Sequence, residues 1–306
     1  MKTYHRKFIY ESQDFDNMCQ FIIQDNCLRK DYFNWHIGRI VDWKYNLSNF
    51  KKHFPDNFSD AAHLWFDYFH NLIGFVIAEE FNNEFWIFLK KEYSSLYPEL
   101  INWAGTEWGN KYDSLVTQVI ETETEYMNYL EANGYKRNSQ LEMTRVFDTS
   151  YFKDYSIEDS SVSFQSMNEN KDYTEQAVLR RNAWSKTYSE EIDLQIREYA
   201  RRSPIYNARF DFVLVNNEGK HVSGCEAFID YENNTAEIER VCTHSDYHNK
   251  GYAQMTLKAC MRRLHESNVS TAFIGGSYDK SIYLYGKLGH KNEYARYSYE
   301  YQTKGV

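Results

Sequence analysis

The sequence predicts an α/β (α+β) fold of two tandem domains of one design, each a mixed, largely antiparallel sheet with helices on both faces. Three observations carry this. The 306 residues are twice the roughly 150 of an average domain. The second half reads as strand, helices, a three-strand meander, helix, strand, helix, strand. Three landmarks of that half recur in the first: Gly74 and Gly224, Asn83 and Asn234, Gly134 and Gly289, at offsets of 150, 151 and 155. A near-constant offset over several landmarks points to duplication. The polar gap Thr149–Ser161 divides the copies, giving domains 1–149 and 162–306.

Each element has a local reason. Val162–Gln165 alternates as a short strand. Residues from Asp172 to Ala200 read as two helices with a break at Lys186–Ser189, and Ser189 before Glu190, Glu191 and Ile192 suits a helix start. Pro204 closes that region. Phe210–Val215 is a strand, and Asn216–Gly219 a hairpin turn, because Asn and Gly tolerate positive φ. His221–Tyr231 returns, Glu232–Asn234 turns again, and Thr235–Thr243 is the third strand. A loop leads to a helix over Gly251–Ser267, then a strand Thr271–Ile274, a helix Asp279–Leu288 stopped by Gly289, and a last strand Asn292–Gln302. In the first half, His63–Tyr68, Asn71–Ile77 and Phe81–Phe88 repeat the meander. Trp103 and Trp108 read as core residues of its helix.

Composition narrows the function. The net charge is −9. Residues 1–150 carry 15 Lys and Arg against 22 Asp and Glu, and residues 151–306 carry 20 against 22. Neither half is a basic nucleic-acid module. A negative balance suits ordinary solubility or a cationic partner such as an amine. No stretch approaches the ~18 apolar residues of a membrane span, and no apolar signal region follows the first basic residues, so the expectation is a cytoplasmic protein without membrane or nucleic-acid partners. The five cysteines (Cys19, Cys27, Cys225, Cys242, Cys260) have no metal or redox spacing, so no metal is expected.

The chemistry concentrates in Glu239–Ala253. A strand ends, a polar loop follows, and a helix opens at a glycine. The first turn of a helix has unpaired N–H groups and the positive end of the dipole. Gly251 lets an anion reach that backbone, which makes an anion site suited to a pyrophosphate. There is no G-K-[ST] Walker loop and no G-x-G-x-x-G.

These residues resemble the GNAT superfamily of N-acetyltransferases. His248-Asn249-Lys250-Gly251-Tyr252-Ala253 matches that family's acetyl-CoA motif, [QR]-x-x-G-x-[GA], except that His248 replaces Gln or Arg. Val241–Tyr247 resembles its V-x-T-H-P-D-Y approach, with Ser245 for the proline. Ser281–His290 resembles its S-I-x-L-Y-E-K-L-G-F helix. The resemblance covers residues 162–302. It implies acetyl-CoA as co-substrate and acetyl transfer to a primary amine of a small molecule by direct attack. It implies that the backbone of Val241, Cys242 and Thr243 binds the pantetheine arm, that amides from Asn249 to Ala253 hold the pyrophosphate, and that Tyr285 is the general acid.

The base is open. Alternation on Thr235–Thr243 puts Glu237, Glu239, Val241 and Thr243 on one face and Cys242 on the other. Glu239 is the first candidate base, Glu226 the second, and His244 a possible proton shuttle. Cys242 reads as a core thiol. The first half lacks the equipment: Pro98 and Glu99 stand where the glycine and its neighbour belong, so it reads as a degenerate copy that does not bind acetyl-CoA in the usual way. Two other classes fit the same sequence, a non-enzymatic acyl-CoA-binding or sensing protein and a scaffold. Neither the acceptor nor the oligomeric state is set by the sequence.

Overall fold

The computed structural model describes residues 2–29, 34–47, 58–80, 82–184 and 189–303. In chain order they form β1 (Thr3–Lys7), α1 (Asp14–Arg29), α2 (Ile37–Asp42), β2 (Ala62–Asp67), β3 (Leu72–Ile77), β4 (Glu84–Leu89), α3 (Tyr97–Glu107), β5 (Ser114–Ile120), α4 (Thr124–Ala132) and β6 (Lys136–Asp148). There follow β7 (Val162–Ser166), α5 (Met167–Asn170), α6 (Tyr173–Ala183), α7 (Glu190–Ala200), β8 (Asp211–Asn216), β9 (His221–Asp230), β10 (Thr235–Thr243), α8 (Tyr252–Glu266), β11 (Thr271–Gly276), α9 (Asp279–Gly286) and β12 (Asn292–Gln302). The break between α6 and α7 at residues 185–188 lies outside the described residues. Ser189 caps α7 as its sequence suggests, accepting from the Ile192 amide at 3.3 Å.

Two compact units result. Unit 1 is Met1–Trp35, Phe50–Met143 and Tyr294–Val306, and unit 2 is His36–Asn49 and Thr144–Glu293. They interleave along the chain, whereas a single cut at the polar gap would separate 1–149 from 162–306. Thr149 is buried and its hydroxyl donates to the Val269 carbonyl at 2.6 Å, so the start of that gap is packed chain and not a linker.

Unit 1 has the strand order β1-β2-β3-β4-β5-β12. The β1–β4 ladders are antiparallel, β4–β5 is parallel, and β12 runs antiparallel to β5 from Arg296↔Ile120 to Gln302↔Ser114. The last strand of the chain therefore completes the first unit. Its alternation explains the placement: Tyr299 is fully buried, with Tyr297 and Tyr301 beside it, in a core of Trp65, Phe85, Leu100, Leu115, Tyr126 and Leu130. Trp108 belongs to that core and Trp103 packs against it, as their sequence context predicted.

Unit 2 has the order β6-β11-β10-β9-β8-β7, β6 entering through residues 144–148. One sheet face packs on α8, where Cys225, Ala227, Ile238 and Phe212 meet Leu257, Cys260, Met261 and Leu264. The segment around α2 joins this unit through polar anchors. The His36 ring bonds the Thr235 hydroxyl at 3.2 Å, and Asp42 takes the Arg240 guanidinium at 2.7 Å.

The duplicated landmarks coincide in geometry. Gly134 and Gly289 follow the equivalent helices α4 and α9 with φ of 84° and 82°. A Cβ on Gly74 or Gly224 would press on a neighbouring strand's carbonyl, Phe88 O at 2.7 Å or Phe212 O at 2.9 Å.

Two outcomes test this arrangement. Tyr299→Ala empties a core position of unit 1 from the far end of the chain and should cost about 3–5 kcal/mol in urea denaturation; a cost within about 0.5 kcal/mol, as at a surface position, would show that β12 is not there. Burial pushes the His36 imidazole down to about 3, so it is neutral in the fold. The unfolded chain protonates it below about 6.5. Stability should fall as pH drops from about 6.5 toward 3, and melting curves of His36→Asn should show a shallower fall over that window. Parallel profiles would contradict it.

Candidate functional site

The site in unit 2 begins where β10 leaves its neighbour. β10 and β11 pair in parallel only from Thr235↔Thr271 to Glu237↔Phe273. β10 then continues to Thr243 and β11 to Gly276 without further register, so the strands split. Opposite β9 the β10 register slips: Glu239 faces Glu226, but Cys242 faces Gly224. Three steps on one strand oppose two on the other, which is a β-bulge. Its extra residue is Arg240, with φ of 54°.

The bulge corrects the simple alternation. Residues directly opposite share a face, so Cys242 shares a face with Glu226 and Glu239. Val241 packs against the Ile238 cluster, and Thr243, opposite Ser223, lies on that same side with a 3.2 Å contact between the two hydroxyls. One inserted residue turns Val241 and Thr243 away from the face of Glu237 and Glu239.

A buried charge network holds this distortion. Arg240 donates to Glu226 and to both oxygens of Asp42, at 2.7 Å for Oδ2. Arg180 on α6 donates to Asp211 at 2.8 Å and lies 3.4 Å from Glu226. Asp211 also accepts from Gln176 at 2.7 Å and Tyr206 at 3.2 Å. Burial would raise the Glu226 carboxyl, but Arg240 and Arg180 hold it below its ordinary value. The two guanidinium groups favour its ionised form and make Glu226 an anchor and a poor candidate base. Asp211 goes the other way: burial and the Glu226 charge raise it despite Arg180. None of this network beyond Glu226 was found from sequence. Arg240 looks like an ordinary strand residue, and its partners are 14 and 198 positions away.

The loop after β10 is pinned by side chains. Asn182 on α6 accepts from the Ser245 amide at 2.7 Å and donates to the Ser245 hydroxyl at 3.0 Å. Asn216 donates to the Tyr247 hydroxyl at 3.1 Å. His244 accepts from the Asp246 amide at 3.3 Å, the capping role of a loop histidine. The His248 ring donates back to the Thr243 carbonyl at 3.1 Å. It is occupied with the strand end, which leaves the backbone to meet an anion. Asn249 and Gly251 adopt φ of 62° and 81°. Gly251 is the N-cap of α8, with no side-chain cap, and a Cβ there would meet nothing within 4 Å. The glycine is thus required by conformation, and the space at its own Cβ position is open. Lys250 lies 4.8 Å over the Tyr247 ring, at the exposed edge.

Tyr285 on α9 is buried against the end of β11, with its ring 3.2 Å from the Cβ direction of Gly276. Burial pushes its hydroxyl well above the ordinary range, and Glu239, Cys225 and Cys242 push it further. It keeps its proton at neutral pH. Glu239, half-buried before the bulge, is within its electrostatic reach. Burial raises the Cys242 thiol to about 11, and its Sγ contacts the Gly224 carbonyl at 3.7 Å, as a core thiol would. Among the described residues no His, Cys, Asp or Glu group could hold a metal ion, and no helix is long and apolar enough to cross a membrane.

In unit 1 the equivalent positions are different. Pro98 opens α3 and has no N–H, the Tyr97 amide already bonds the Ser94 carbonyl, and Glu99 puts a carboxylate in the first turn. That carboxylate accepts from the Trp65 indole at 2.8 Å.

Residues 173–290 match the acetyltransferase (GNAT) family. No curated protein matches the chain. Solved structures share its fold over nearly its whole length. A tandem GNAT protein from the clavulanic acid biosynthesis pathway is 9% identical with a TM-score of 0.68, all of each chain being covered. A GCN5-related N-acetyltransferase from Sphaerobacter thermophilus is 12% identical with a TM-score of 0.62, covering 97% of this chain and 95% of its own. A GNAT-family acetyltransferase from Colwellia psychrerythraea is 12% identical with a TM-score of 0.60, covering 98% and 99%. At such identities the likeness is one of fold, and the fold is that of a tandem GNAT protein.

Gly251→Ala should destabilise the chain by about 1–2 kcal/mol in chemical denaturation, because the left-handed backbone, not a steric clash, opposes a side chain there. A neutral substitution would mean that the loop does not hold its positive φ.

Proposed function

We propose that this chain, which carries a GNAT acetyltransferase domain over residues 173–290, moves an acetyl group from acetyl-CoA to a primary amine of a small molecule, with unit 2 as the catalytic unit. One observation carries the reading: an uncapped helix N-terminus with open space at Gly251 directly follows a bulged strand split from its parallel neighbour. The open amides supply donors and a positive dipole end for a pyrophosphate. The split exposes β10 backbone around Val241–Thr243 to a pantetheine arm.

Acetyl-CoA supplies an activated thioester; its carbonyl carbon forms a bond to the amine nitrogen as the bond to sulfur breaks. Glu239 takes the proton that the amine must lose, directly or through one water. Tyr285, protonated because it is buried, gives its proton to the departing sulfur. Donors on β10 near the bulge polarise the thioester carbonyl. His248 serves the loop by bonding Thr243, which is why a residue other than Gln or Arg is compatible with the site.

The test is coenzyme-thiol release across a panel of small amines, run beside calorimetry with acetyl-CoA. Tyr285→Phe and Glu239→Gln should each lower turnover by about 10²–10⁴-fold while acetyl-CoA binding stays within about threefold. Binding with no turnover in the wild type would favour a sensing protein. No binding would remove the reading altogether.

A further inference from the structure

Unit 1 contains a cleft of about 520 Å³ at the place where its own parallel pair divides. β4 and β5 register only at Glu84↔Val116 and Phe85↔Thr117 before separating. The cleft lies beyond that point, between the end of β4, the start of α4 and the outer face of α1.

Its walls are charged, and their charges are incompletely matched. Arg29 spends its guanidinium on two carboxylates, Asp25 at 2.6 Å and Glu123. Each carboxylate keeps a second oxygen, Asp25 Oδ1 and Glu123 Oε2, with no donor among the described residues. Glu92 and Glu125 add two more carboxylates against Lys90 and Lys91. Burial pushes the Asp25 carboxyl above its ordinary value; Arg29 opposes this and does not overcome it, and Glu92 adds to the push. Lys90 is a second, weaker positive influence on Asp25, and the carboxyl still stands above its ordinary value.

Tyr97 supplies an independent sign of a ligand. It is 6% exposed, stacked on Tyr126 at 4.6 Å, and lines the cleft. Its hydroxyl has no hydrogen-bond partner among the described residues. The ring is buried while the hydroxyl faces the space of the cleft, where it is an acceptor that a ligand can meet. The apolar part of the lining, Phe21, Leu89 and Leu28, ends in an exposed leucine at the rim, with Leu28 76% exposed. Pro98 and Glu99 leave the start of α3 without the open donors that unit 2 offers at Gly251.

We propose that this cleft is a binding site for a small alkylammonium ion, its three N–H groups taken by the open oxygens of Asp25, Glu123 and Tyr97 and its alkyl stem lying along Phe21, Leu89 and Leu28. An ammonium has three donors and no acceptor, which matches three open acceptors. The site is non-covalent, lies within unit 1, and does not depend on the acetyl-transfer reading of unit 2.

The experiment is titration calorimetry of the full chain with n-butylammonium at neutral pH, with butyrate and 1-butanol as the anionic and neutral counterparts. One saturable n-butylammonium site is expected, with no uptake of butyrate. Asp25→Asn should weaken it by about tenfold and Tyr97→Phe, which keeps the ring stack, by about threefold. Glu239→Gln in unit 2 should leave it unchanged. Absence of binding, retention of full affinity in both unit 1 variants, preference for butyrate, or loss in Glu239→Gln would each overturn the proposal. If Asp25→Asn lowers the melting temperature enough to cloud its reading, Tyr97→Phe decides.

Discussion

The geometry of unit 2 depends on one buried cation. Arg240 sits in a left-handed backbone conformation that an L-residue enters at a cost of about 1–2 kcal/mol, and it does so in the middle of a strand. What holds it is a guanidinium shared between Glu226 on the neighbouring strand and Asp42 on α2. Charge-assisted hydrogen bonds of this kind are about twice as strong as neutral ones, and removing one partner would strand an ion in the interior. The network therefore fixes the bulge and recruits a distant segment of chain. The bulge in turn decides which β10 residues face α8 and which face the charge network.

The two units show how one scaffold reaches opposite electrostatics. Both divide a parallel strand pair, and both begin a helix just beyond the strand end. In unit 2 a glycine in positive φ leaves the first-turn amides open. In unit 1 a proline removes one donor, a turn uses another, and Glu99 adds negative charge. The space between the strands survives in unit 1, lined by four carboxylates and three cationic side chains. Duplication conserved the split, which is a property of the backbone. The side chains at the helix start then set the sign of whatever can bind.

Much of the fold was legible because local signals were strong. Gly134 and Gly289 marked equivalent helix ends, and both take positive φ. Asn216–Gly219 formed the expected hairpin, with Asn216 accepting from the Glu218 and Lys220 amides at 3.0 and 2.9 Å. Gly251 stood out because a glycine between a polar loop and an apolar-periodic helix has few other uses. β1, α1 and α2 were not anticipated, since nothing in their sequences separates them from amphipathic background. The face of Cys242 was misassigned because a bulge leaves no mark in a strand whose residue types are all ordinary.

By itself the sequence determined the duplicated design, the order of elements in the second half, the glycine-opened helix of the second half and its loss in the first. These follow from turn chemistry and periodicity, which act over a few residues. Only the tertiary structure decided that β12 completes unit 1, that His36–Asn49 belongs to unit 2, that Arg240 bulges, and that Asp25, Glu123 and Tyr97 share a cleft. Those outcomes depend on burial and on charge pairing between residues far apart in the chain, where the free energy is set by the partner and no local pattern records which partner it will be.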